Sequence, residues 1–282
     1  MLELLSVVMV GIGLGKLVVE VINVGNELLD GRTLNSNLQW MGGRFSELGY
    51  VIGRAVIIRD DLREIASAVR EALRRKPRWL VISGGLGPTH DDMTLEGVAK
   101  ALGRRMKVNT EALEMVVEHY EKRMAEKVIE RIELTRERIK MAILPEGAKP
   151  LRNRIGTAPG VLLKSNSTKI VCLPGVPREM QDIFNNELIP MLIKESKGGK
   201  IVMKHVEVEG VLESSMAPLL VEVMQVFKGL YVKSNPKGVE DGKSIVSVDF
   251  MADERKGGEK LVNEAVNYFN ERLKELKRRE EV

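Results

Sequence analysis

From Leu17 onward the chain alternates short continuous apolar runs with stretches whose apolar residues recur every three or four positions. Leu17 to Val24 is a run of the first kind and predicts a buried strand. Leu34 to Leu48 is of the second kind, with Leu38, Met41, Phe45 and Leu48 on one helical face and Gly49 placed to end the helix. Tyr50 to Ile58 predicts a second strand, and Asp60-Asp61 opens a helix over Leu62 to Arg74. Trp79-Leu80-Val81-Ile82 predicts a third strand, and Leu95 to Leu102 another helix. Strictly alternating strands and helices of this kind build a mainly parallel sheet covered on both faces.

Asn109 to Met141 is heavily charged, with Leu113, Val116, Val117 and Tyr120 as an apolar stripe, and predicts helices with a break near Met124 to Val128. Val161 to Lys164 and Lys169 to Leu173, joined by the polar turn Ser165 to Thr168, read as a hairpin. Pro177 suits the first position of a helix that runs to about Ile193. Residues 17–193 are thus expected to form one α/β domain, and Lys194 to Lys200 has the composition of a linker. Over 201–282 the pattern restarts as strand, helix, strand, strand, helix, a small α+β domain with Val262, Ala265, Val266, Phe269 and Leu273 inward on its last helix. Residues 1–16 are apolar but lack a basic leader and carry Glu3; they read as an N-terminal extension from an upstream start codon, too short for a membrane span.

With 282 residues, 44% of them hydrophobic, the chain can bury real cores and is not of the disordered class. Its net charge of +4, with both signs interspersed, and an aromatic fraction of 4% argue against nucleic acid as a partner. A single cysteine, Cys172 in an apolar run, allows no intrachain disulfide and fits a reducing cytoplasm. The high charged fraction with one cysteine and three glutamines suggests a thermophilic source.

Candidate chemistry gathers where the strands end, since open α/β sheets bind ligands beyond the carboxyl ends of their strands. Ser83-Gly84-Gly85-Leu86-Gly87-Pro88-Thr89-His90-Asp91-Asp92-Met93-Thr94 runs from strand through a glycine loop into a helix. Its glycines let backbone approach a ligand, and amides at the start of a helix attract phosphate. Asp91 and Asp92 would repel that phosphate unless a metal ion or a proton stands between, which points to metal-assisted phosphate chemistry. The blander alternative is a tight turn whose aspartates cap the helix. Gly25 to Gly31 and Arg59 to Asp61 leave strands at the same end, each with at least one carboxylate, and Pro174 to Met180 could form another wall.

Three ordered motifs carry a family resemblance: Gly25-Asn26-Glu27-Leu28-Leu29-x-Gly31, the glycine loop through Thr94, and Pro174-Gly175-Val176-Pro177-x-Glu179-Met180. Together they resemble the N-terminal part of the CinA (competence/damage-inducible) family, which belongs to the wider MoaB/MogA-like molybdopterin-binding superfamily. The resemblance covers roughly Leu17 to Ile193, and the domain after it is similar to the KH-like second domain of the same family. It implies a three-layer α/β/α fold with a mixed, mainly parallel sheet, and a pocket for a phosphate-bearing nucleotide or pterin. Leu86 stands where the molybdopterin relatives have threonine, which removes a hydroxyl donor and weakens the pterin reading. Their acidic pair falls on Asp60 and Asp92. The sequence stops before the nicotinamide-nucleotide amidase domain of longer members, so that activity is not expected.

The leading expectation is a cytoplasmic, homo-oligomeric pyrophosphatase that splits ADP-ribose or a related dinucleotide with Mg²⁺, Mn²⁺ or Co²⁺. The amides of Gly84, Gly85 and Gly87 would hold the diphosphate, with Gly25, Asn26, Leu86, Pro88, Thr89, Pro174, Gly175 and Glu179 around the substrate. Asp91 and Asp92 would hold the metal, and Asp60 or Glu27 would orient or deprotonate water. A second reading, from the same loops, is a molybdopterin-binding or adenylating protein of cofactor assembly. A third is a binding protein working through the KH-like domain; the stretch Lys237 to Gly242 has the wrong spacing for the Gly-x-x-Gly loop of RNA-binding KH modules and carries two acids.

Overall fold

The computed structural model describes residues 17–128, 131, 133–196, 201–240 and 242–280. The N-terminal extension 1–16 and residues 197–200 of the expected linker lie outside the described residues. Two compact units emerge, one made of Leu17–Phe45 and Tyr50–Glu195, the other built mainly from residues 196–280.

The first unit is organised on six strands: β1 (Val18–Val24), β2 (Val51–Ile58), β3 (Trp79–Ser83), β6 (Lys149–Leu151), β7 (Gly160–Ser165) and β8 (Thr168–Leu173). Their order is β2-β1-β3-β8-β7-β6. The first four run parallel, and β7 and β6 are antiparallel additions. β4 (Met106–Val108) and β5 (Ile143–Pro145) form a separate short antiparallel pair. Every residue of β3 is buried, as a central strand covered on both faces requires.

Period-two alternation sorts the strand side chains. Ile22, Val24, Leu80, Ile82, Ile170 and Cys172 join one core with Ile65 and Val69 of α3 (Leu62–Arg75), Val98 of α4 (Thr94–Leu102) and Val116 of α5 (Thr110–Ala125). The intervening positions, among them Val19, Val21, Trp79, Val81, Val171 and Leu173, are buried on the opposite face. There α2 (Ser36–Glu47), which follows the one-turn α1 (Asn26–Leu29), brings Trp40 and Phe45 edge-on to Phe184, each at 5.1 Å. Phe184 begins a π-helical stretch, Phe184–Leu188, between α7 (Pro177–Ile183) and α8 (Ile189–Ser196). A short α6 (Arg136–Lys140) precedes β5. The result is the three-layer α/β/α arrangement with a mixed, mainly parallel sheet.

The second unit is a three-stranded antiparallel sheet of order β10-β11-β9, from β9 (Ile201–Glu209), β10 (Leu230–Glu240) and β11 (Lys243–Asp253). Val246, Val248 and Phe250 pack against Val223 of α9 (Glu213–Val226) and Val262, Ala265 and Phe269 of α10 (Gly258–Glu280).

Candidate active site at the carboxyl edge of the parallel strands

Because β1, β2, β3 and β8 run parallel, the loops that leave them meet at one edge. Backbone bonds knit them together. Gly25 N donates to Ile58 O (3.1 Å), and Asn26 N donates to Asp60 Oδ2 (2.8 Å), joining the loops after β1 and β2. Gly84 N donates to Leu173 O (3.0 Å), joining the loops after β3 and β8. Gly84, at φ 108°, lies so close to β1 that a Cβ there would run into the Val24 carbonyl, and Gly85 follows at φ 64°. Only glycine occupies such consecutive positions without strain. Thr94, fully buried, clamps the loop: its Oγ1 donates to Gly84 O (2.8 Å) and its N to Gly85 O (3.1 Å).

Two expectations need correction. The Gly84 amide is committed to Leu173, so it cannot face a ligand; the amides of Gly85 and Gly87 donate to no described atom and are the available ones. The Leu86 side chain is 5% exposed and belongs to the hydrophobic core, so it offers a ligand little more than its backbone and the edge it adds to the neighbouring cavity. The apolar side chain turns inward because the loop must cover the top of the sheet.

Four carboxylates converge on this loop cluster. Burial pushes the Asp60 carboxyl above its ordinary range; the Asn26 amide opposes this, and the charges of Glu27, Asp91 and Asp92 add to it. Asp92 Oδ2 accepts from Thr89 N (2.9 Å) and Thr89 Oγ1 (2.5 Å), and the same hydroxyl reaches Asp91. That contact, with Asp91's own amide next, holds the Asp91 carboxyl below the usual range. Neither aspartate caps α4, whose N-cap is Met93 with no side-chain bond, so the capping alternative fails for them. It holds for Asp61, which accepts from Arg63 N and Glu64 N at the start of α3.

Among the described residues no three of His, Cys, Asp and Glu come together as ligands of one ion. The donor set nevertheless suits a hard divalent cation. A Mg²⁺-type ion takes one or two carboxylates and fills its shell with water and substrate phosphate, and its charge would offset that of the carboxylates near Asp60.

Beside the glycine loop lies a cavity of about 120 Å³, lined by Gly85, Gly87, Asp92, Glu96 and Lys140 together with apolar Leu86, Leu95, Met106 and Ile143. Lys140 was hidden in a charged stretch with no motif, yet its ammonium donates to Thr89 O. Pro88 and Thr89 are exposed at the loop tip. Gly175 packs against Gly84, whose Cα would lie 3.4 Å from a Cβ at Gly175, and Ser83 Oγ donates to Pro174 O (3.3 Å). Glu179 stands apart from this group: it accepts from Asn153 Nδ2 (2.7 Å) and covers Gly156, fixing the loop before β7. Asn23, Asn37 and Ser83, buried polar residues at this edge, were passed over because they sit inside or beside apolar runs. Asn37 donates to Gly175 O (2.8 Å) and Ser83 Oγ (3.2 Å), tying α2 to both loops.

Comparison with known proteins agrees with this architecture. Residues 20–194 match the family described as a probable molybdopterin binding domain. An Aeropyrum pernix protein is 45% identical over 232 residues, covering 82% of this chain and 84% of its own length. A Pyrobaculum arsenaticum protein is also 45% identical, covering 91% of this chain and 93% of its own length. The crystal structure of a Thermoplasma acidophilum protein described as CinA with unknown function superposes with a TM-score of 0.56 at 38% identity, covering 64% of this chain and 98% of that one.

Proposed function

This chain belongs to the probable molybdopterin binding domain family, in its CinA-like form, and from that premise we propose that it is a metal-dependent pyrophosphatase acting on ADP-ribose or a related nucleoside diphosphate compound. The observation that carries the reading is the convergence of Glu27, Asp60, Asp91 and Asp92 on a glycine loop with free amides at Gly85 and Gly87. Those amides hold diphosphate oxygens. Asp91 and Asp92, set by Thr89, hold the divalent ion, which when bound neutralises phosphate charge and makes water more acidic. Asp60, its carboxyl raised by burial, takes a proton from the attacking water. Water oxygen bonds to phosphorus, one phosphoanhydride P–O bond breaks, and AMP and ribose 5-phosphate leave. Lys140 beside Asp92 adds a positive charge for the departing phosphate.

Incubation with ADP-ribose and Mg²⁺, Mn²⁺ or Co²⁺, with products separated by chromatography, tests this. AMP plus ribose 5-phosphate is expected from the wild type, and a loss of at least about 100-fold from Asp92→Asn, the size usual for a group acting on the reacting centre. No turnover with any of the three metals would sink the proposal in favour of pterin-phosphate binding, which the family match supports as the second reading.

A further inference from the structure

Three asparagines line one small hollow at the same edge, between the end of β1 and the start of α2: Asn23, Asn35 and Asn37, with Ser83, Gly175 and Glu27 beside them. Asn23 is fully buried and Asn37 is 9% exposed. One end of each amide is committed to the protein. Asn23 Nδ2 donates to Val56 O (3.3 Å), and Asn37 Nδ2 to Gly175 O (2.8 Å) and Ser83 Oγ (3.2 Å). Asn35 Oδ1 accepts from Leu38 N (3.1 Å) as α2 begins. These bonds settle which way each amide points, since flipping any of them would set like against like. The opposite ends, Asn23 Oδ1, Asn37 Oδ1 and Asn35 Nδ2, are buried and have no partner in the protein. Of four such atoms among the described residues, three belong to residues that line this one hollow. Buried polar groups are paired as a rule, so such a cluster calls for partners from outside the chain, bound water or the hydroxyls of a ligand.

We infer that this hollow takes the vicinal diol of a ribose whose phosphate lies on the neighbouring glycine loop. The inference rests on the reading of that loop as a phosphate cradle. Two free acceptors and one free donor match two hydroxyls, which give a proton each to Asn23 and Asn37 while one accepts from Asn35. A phosphate dianion has no protons for two acceptors. The hollow is small, about 80 Å³. Continuity with the glycine loop comes through Ser83, which precedes Gly84, and Gly175, which packs on it.

Titration calorimetry in Mg²⁺ with AMP, ribose 5-phosphate, 2′,3′-dideoxy-AMP and inorganic phosphate tests the assignment. AMP or ribose 5-phosphate, whichever ribose is the one recognised, is expected to bind more tightly than phosphate, and dideoxy-AMP about 10- to 100-fold more weakly than AMP if the nucleoside ribose is seated. Asn35→Ser keeps an oxygen for Leu38 N but removes the amide donor, so it folds and weakens the diol ligand about 10-fold while leaving phosphate unchanged. Diol ligands that bind no better than dideoxy-AMP or phosphate, or an Asn35→Ser effect equal for all four, would overturn the inference. Diol discrimination without ADP-ribose cleavage would sink the pyrophosphatase and leave this site standing; cleavage without discrimination would do the reverse.

Discussion

Asp60 sits where its charge is least welcome, partly buried and facing three other carboxylates, with only the Asn26 amide in its favour. A carboxyl raised in the folded state binds more protons than in the unfolded chain, so stability falls as pH rises from the ordinary carboxylate range through the folded value. At neutral pH, Asp60→Asn is therefore expected to raise the melting temperature measured in EDTA and, assayed separately with Mg²⁺, to abolish turnover, the usual trade of stability for a poised site. Carboxyl ¹³C titration should place Asp60 above the ordinary range and move it downward in Glu27→Gln; a normal value in the wild type would remove it as the base. Glu27, Asp91 and Asp92 were legible in sequence because they sit in loops with a glycine signature, and Asp60 because it follows a strand that ends at the same edge. Asn23 and Asn37 were not, because their meaning depends on partners such as Gly175, far along the chain from Asn37.

At the scale of the element, the strand–loop–helix unit over β3 and α4 depends on one hydroxyl. Thr94 spans from the first turn of α4 to the Gly84 carbonyl, and both groups are sealed from water. Thr94→Val keeps the shape and leaves that carbonyl short of a donor, an expected loss of roughly 1–3 kcal/mol in urea denaturation with a matching loss of phosphate binding. A variant as stable as wild type would show that the loop is held some other way. The long elements could be read from periodicity alone: 62–74 became Leu62–Arg75 and 161–164 with 169–173 became the β7–β8 hairpin. β4, β5 and β6 escaped because three residues do not display a period, and their pairing is decided by partners outside their own sequence.

Across the whole molecule, each unit closes its own core. The second holds Phe269 fully buried, edge-on to Phe250 at 5.2 Å. Phe269→Ala is expected to cost that unit about 3–5 kcal/mol and to leave ADP-ribose turnover by the glycine-loop unit in place; calorimetry alongside the activity assay checks both halves. Sequence pattern announced two units by restarting after residue 200, but it could not say that β8 lies beside β3, since strand order is a property of the assembled sheet. That order is what sets Pro174 and Gly175 against the glycine loop. It also bears on Leu86, whose side chain is walled into the core beneath that loop. Leu86→Thr would bury a hydroxyl among aliphatic neighbours and is expected to destabilise the loop it underlies.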